Sequence, residues 1–128
     1  MTRVFVTSDL LASCTQQIEQ IKQDFLLYKS SDELPPYFGR DVTYSWPASA
    51  KAEALHHLHL AIQGHEWGRG RLQYSRTSDD HIVYTRGFYD QDCYLLIALM
   101  TPDAHNKAND IDLMEQYAKI AHNFRCQY

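Results

Sequence analysis

The chain has no apolar run near the roughly 20 residues that a membrane-spanning helix requires. Its longest, YLLIALM at 94–100, suits one buried strand. The opening MTRVFVTSD lacks the basic-then-apolar layout of a secretory leader, so none is expected. Cysteine is scarce: Cys14, Cys93 and Cys126 are odd in number, widely spaced and form no CxxC. Neither a disulfide framework nor a zinc ribbon is expected from them. These absences point to a reducing compartment, most simply the cytoplasm. Basic charge is also short. Twelve Lys and Arg face sixteen Asp and Glu, for a net charge of −4, which argues against a domain that grips nucleic acid through a broadly basic face.

What is present is ordinary for a globular protein: 45% apolar and 22% charged residues in 128 positions. That is the length of one domain, 1–128, with enough chain to bury a core without staples. The charge is unevenly placed. Residues 39–86 hold Arg40, Lys51, Arg69, Arg71, Arg76 and Arg86 together with five of the seven histidines, while both flanking stretches are acidic. An anionic ligand should therefore meet the middle of the chain.

Periodicity places the elements. RVFVT at 3–7 alternates and is β-branched, so it reads as a strand. Ser13 and Gln16 resemble a capping box, and Ile18, Ile21, Phe25 and Tyr28 then mark one face of a helix over about 14–30. Pro35, Pro36 and Gly39 break the pattern. Pro47 can open a second helix running through KAEALHHLHLAIQ to Gly64. In it Leu55, Leu58, His59 and Ile62 share an apolar face, so His59 is expected buried and hydrogen-bonded. None of His56, His57 and His59 stand four apart, which disfavours a helical zinc site; no metal or other cofactor is expected. RLQYSR, HIVYTR and CYLLIALM, separated by turn-like TSDD and GFYDQD, read as a three-stranded antiparallel meander. Leu113, Tyr117, Ile120, Ala121 and Phe124 define a last helix. The expected fold is α+β in the order β-α-α-β-β-β-α, an antiparallel sheet with helices on one face.

Four fragments, LPPYFGRD at 34–41, HLHLA at 57–61, SRTSDDHIVYTRG at 75–87 and LLIALMTPDAHNKA at 95–108, resemble the YafO family in order and spacing. These are toxins of bacterial type II toxin–antitoxin modules, with a RelE/ParE-like fold. The resemblance implies a ribosome-dependent mRNA endoribonuclease that arrests translation and is neutralised by an antitoxin. Its partners would be that antitoxin, the ribosome and mRNA. A rival of another class is a toxin of the same fold that binds and inhibits a protein target such as gyrase; fold alone does not separate the two.

Metal-independent cleavage of this kind uses the RNA 2′-hydroxyl as nucleophile. It needs a base, an acid for the leaving 5′-oxygen, and a cation for the phosphorane-like transition state. Histidine suits the proton transfers and arginine the charge. Arg76 is the candidate for charge, and His81 and His105 are the candidates for proton transfer. The TSDD turn is expected to set Arg76 and His81 opposite one another on one face. Arg40, Arg71, Arg86 and Lys107 are candidate RNA contacts, and Tyr84 and Tyr89 could stack on bases.

Overall fold

The computed structural model describes residues 1–128. The β-branched opening forms β1 (Arg3–Val6), followed by a short α1 (Ser8–Ser13) and the long α2 (Thr15–Ser31). Then come β2 (Phe38–Thr43), α3 (Ala48–Ala52), β3 (His56–Leu60), β4 (His81–Arg86), β5 (Cys93–Met100), α4 (Ala104–Lys107) and α5 (Ile111–Gln127). The five strands form one sheet in the order β1-β5-β4-β3-β2. Strands β2 to β5 are an antiparallel meander, and β1 joins β5 in parallel. The sheet is therefore mixed rather than purely antiparallel.

Helices cover both faces, not one. Ile18, Ile21 and Phe25 of α2 pack on Leu58, Leu60, Ile82, Tyr84 and Leu96. Met114, Ala118, Ala121 and Phe124 of α5 pack on Val83, Leu95 and Ile97. Two buried faces explain the near-continuous apolar texture of β4 and β5, whose successive side chains go to opposite cores.

The helix expected over 47–64 is the largest departure. It ends after one turn and a half, at Glu53, and Ala54 takes a left-handed φ of 53° that redirects the chain. HHLHL then runs as a strand. Leu58 and Leu60 enter the α2 core while His57 and His59 face the other way; Leu55 enters the α5 core. The spacing of Leu55 and Leu58 suits a helix equally well, and sheet pairing decides the outcome.

RLQYSR is not a strand either. Its place beside β4 is taken by β3, and Gln73–Ser75 is a 3₁₀ turn. Leu72 is 79% exposed, so the segment offers no apolar face to bury. It instead lies along β2, where the Arg40 N–H donates to the Arg76 carbonyl at 2.9 Å. Gly39 permits this approach: a Cβ there would lie 2.4 Å from the Arg76 carbonyl oxygen.

A polar knot closes the α2 face. The Asp41 carboxylate accepts hydrogen bonds from Tyr84 Oη at 2.6 Å, Tyr28 Oη at 2.8 Å and Lys29 Nζ at 3.2 Å. Asp41 pairs with Lys29, not with its neighbour Arg40. Burial, and then the Asp41 charge, raise the Tyr28 and Tyr84 hydroxyls well above their ordinary range, so both stay protonated donors. Asp41→Ala orphans all three donors, and urea unfolding should show a loss of about 3 kcal/mol. Tyr84→Phe, which deletes one donor and keeps the ring, should cost only about 1 kcal/mol.

Candidate active site

His57, His59 and His81 lie on the sheet face turned toward α5, at its open end beside α4. His59 and His81 are directly opposed across β3 and β4. Their ring centroids are 4.0 Å apart, and His57 is 5.1 Å from His81. His105, from α4, comes within 5.0 Å of His81. Four imidazoles thus converge from three elements that are distant in sequence.

The loop between β3 and β4 sets the tautomers of His59, His81 and His105. The Ser78 N–H donates to His59 Nδ1 at 2.9 Å, so that nitrogen carries no proton. The Ser78 carbonyl accepts from His81 Nε2 at 2.8 Å, which leaves the lone pair of a neutral ring on Nδ1. That Nδ1 is buried and has no hydrogen-bond partner, and His57 Nδ1 shares this state. The next residue, Asp79, accepts from both the backbone N–H and ring Nδ1 of His105, at 2.9 and 2.6 Å. His105 Nδ1 is thus occupied by a carboxylate and Nε2 is left for other work. The His105 backbone N–H and then its ring hold the Asp79 carboxyl below its ordinary range.

Burial, and then the neighbouring His81, push the His57 ring down to about 4 and the His59 ring to about 3. His81 is lowered too, chiefly by burial. His57, His81 and His105 line an open pocket of about 260 Å³, completed by Thr43, Tyr44, Ser45, Trp46, Ala108 and Asn109. Tyr44 stacks on His57 with centroids 4.2 Å apart, and Trp46, 48% exposed, stands at the rim. The pocket thus combines histidines kept neutral by burial, an imidazole oriented by a carboxylate, and an aromatic rim for a base. The ring nitrogens of His57, His59 and His81 that could hold a metal lie within 4.8 Å of one another.

Of the residues singled out in the sequence, the structure unites His81 and His105 in this pocket. Arg76 is elsewhere. Its Nε and Nη1 donate to the Arg71 and Phe38 carbonyls, tying the 71–76 segment to β2, and it does not face His81 across a turn. Arg40 stacks on exposed Tyr74 at 4.1 Å, and its charge acts on His59. Arg71 lines a separate pocket of about 200 Å³ with Trp67 and His65. Lys107 donates to the Thr101 carbonyl on the same turn as His105. Arg86 is exposed at the far end of β4. Tyr84 is 1% exposed with its hydroxyl on Asp41, so it has no ring face for a base; that expectation is corrected, and Trp46 and Tyr74 supply exposed aromatic faces instead. The structure adds His57, read from the sequence as a helical residue outside the site, and Ser78 and Asp79. The signal for His57 was the alternation in HHLHL, which puts His57 and His59 on one face of a strand.

The neutral cluster couples to stability. An unfolded histidine binds a proton near pH 6.5, whereas native His57 and His59 do so only near 4 and 3. Their contribution is complete above pH 6.5 and is lost progressively as pH falls toward those values. Between pH 7 and 4.5 urea unfolding should show a loss on the order of several kcal/mol, and His59→Gln should flatten that slope. A flat profile in the unaltered protein would mean that the rings are not held neutral.

The family model for toxin YafO of type II toxin–antitoxin systems matches residues 26–126. The chain is 36% identical over 132 residues to the mRNA interferase toxin YafO of Escherichia coli K12, covering 98% of this chain and 99% of that protein. No solved structure matches the chain. By both matches, the chain belongs to the YafO family of type II toxin–antitoxin toxins.

Proposed function

We infer that the chain is the toxin of a type II module and cleaves mRNA on the ribosome, opposed by an antitoxin. The observation that carries the reading is the pocket in which His81 and carboxylate-backed His105 meet. The relative's description as an mRNA interferase supplies the substrate class. The α+β architecture is read as RelE/ParE-like; relative to the expected order it gains α1, β2, β3 and α4 and lacks the strand expected at RLQYSR.

The roles follow from environment. His81 is kept neutral with its Nδ1 lone pair unpartnered, which suits it to take the 2′-hydroxyl proton. The Asp79 carboxylate accepts from His105 Nδ1 and orients the ring, which leaves Nε2 as the atom placed to deliver a proton to the leaving 5′-oxygen. The 2′-oxygen bonds to phosphorus as the 5′-oxygen leaves, giving a cyclic phosphate without a metal. Trp46 at the rim provides a stacking face for a base. Arg40 and Lys107, on elements flanking the pocket, supply positive charge toward the phosphate, whereas Arg76 serves the fold. The 65–76 segment, with Arg69, Arg71 and exposed Tyr74, is the surface for ribosomal RNA. The ribosome supplies the orientation that a pocket of this size does not.

Primer extension on a defined mRNA, with and without translating ribosomes, tests this. Cleavage is expected only with ribosomes. His105→Ala should lower its rate by about 10²-fold or more, and Asp79→Asn by about tenfold. Arg86→Ala should leave it unchanged. No cleavage by folded, antitoxin-free protein would transfer the toxicity to binding of a protein target.

A further inference from the structure

The histidine cluster has a second chemical capacity. His57 and His59 alternate on β3 and His81 sits opposite on β4, with ligating nitrogens within 4.8 Å of one another. Two nitrogens, His57 Nδ1 and His81 Nδ1, are buried and have no hydrogen-bond partner. On His81 the opposite nitrogen donates to the Ser78 carbonyl, the arrangement that orients metal-bound histidines and raises their basicity. The set contains imidazoles alone. That excludes magnesium and calcium, which prefer oxygen, and selects divalent ions of the zinc, nickel and copper class.

The geometry points to a site for one such ion on His57, His59 and His81, where binding inhibits the toxin. His59 Nδ1 already accepts from the Ser78 N–H. Its ligation costs that hydrogen bond, so affinity falls in the micromolar range, below that of a purpose-built structural zinc site. His57 and His81 both line the pocket, so the ion would lie at its wall. Inhibition rests on the nuclease reading: an ion on His81 Nδ1 occupies the lone pair that would take the 2′-hydroxyl proton. The cluster is then a regulatory site, and the chemistry itself uses no metal.

One other group on the molecule could compete for the ion. Cys126 Sγ lies 3.4 Å from His122 Nε2 on α5, with Glu53 on the other ring nitrogen at 2.6 Å. The test separates the two. Untagged, chelator-stripped protein is titrated with Zn²⁺ by calorimetry and with Co²⁺ by absorption. One ion per chain is expected, with tetrahedral Co²⁺ bands and no thiolate charge-transfer band. His57→Gln, at a partly exposed position that keeps the fold, and His81→Gln should each weaken Zn²⁺ binding by about 100-fold. Cys126→Ser and His122→Gln should leave it unchanged. Absence of binding below millimolar Zn²⁺, survival of binding in His57→Gln, or a thiolate band would overturn the site. Zn²⁺ should also stop ribosome-dependent cleavage, with recovery on chelation. Binding without any cleavage would sink the nuclease reading alone, and cleavage without binding would sink the metal site alone.

Discussion

The candidate site depends on two consecutive residues of one loop. Ser78 offers its N–H to His59 and its carbonyl to His81, while Asp79 holds the ring and backbone of His105. Backbone groups make the two Ser78 contacts, which therefore survive changes of its side chain, whereas both contacts to His105 require the Asp79 carboxylate. Together these contacts fix which nitrogen of each ring is protonated, and the tautomer decides whether a histidine gives or takes a proton at a given point. The loop is itself held: the Ser78 hydroxyl donates to the Asp80 carbonyl, and Thr101 donates to the Asp80 carboxylate. Asp79 also accepts the Ala104 N–H through its carbonyl, which binds the start of α4 to the loop. Ordering of the loop and placement of His105 are therefore one event.

The sheet supplies the rigidity behind that loop. Alternation along β3 and β4 sends Leu58, Ile82 and Tyr84 into the α2 core and the histidines to the opposite face. The Asp41 knot locks α2 to β2 and β4 at the same level. A shift of β3 by one residue would exchange Leu58 for a histidine in an apolar core, so the hydrophobic face enforces the register of the polar one. The functional face inherits its geometry from packing on the face that performs no chemistry.

The parts legible in the sequence were those with one dominant period. β1, α2 and α5 carry alternation or a 3.6 repeat, β4 and β5 are short apolar runs bounded by turn residues, and each forms where that pattern lies. The 47–64 segment carries both periods. Leu55, Leu58 and Ile62 fit a helix, while HHLHL fits a strand, and only pairing with β2 and β4 resolves the choice. That ambiguity misplaced RLQYSR as β4's partner and with it the pairing of Arg76 with His81. His81 and His105 stand out in the sequence because proton-transfer chemistry needs their residue type, and the fold brings both to one pocket. Ser78 does not stand out, since backbone hydrogen bonding leaves no local mark, and the alternation that places His57 was masked by the helical spacing of the same segment.

Packing alone does not account for four imidazoles in one place. His59 is 2% exposed and His81 1%, so each has lost its hydration, and each ring must stay neutral to remain there. An aliphatic side chain at either position would pack without orphaned nitrogens and without the acid sensitivity. Burying imidazole in place of valine or leucine therefore sacrifices stability at each site. Proteins concentrate that kind of sacrifice where the perturbed group performs a task. The buried His57 and His81 nitrogens are the clearest instance: both are unpartnered in the folded chain, and on His81 the hydrogen bond of the other nitrogen leaves a lone pair for a proton or a metal ion. One of them, His81 Nδ1, thus carries both the base role proposed for the pocket and the means of blocking it.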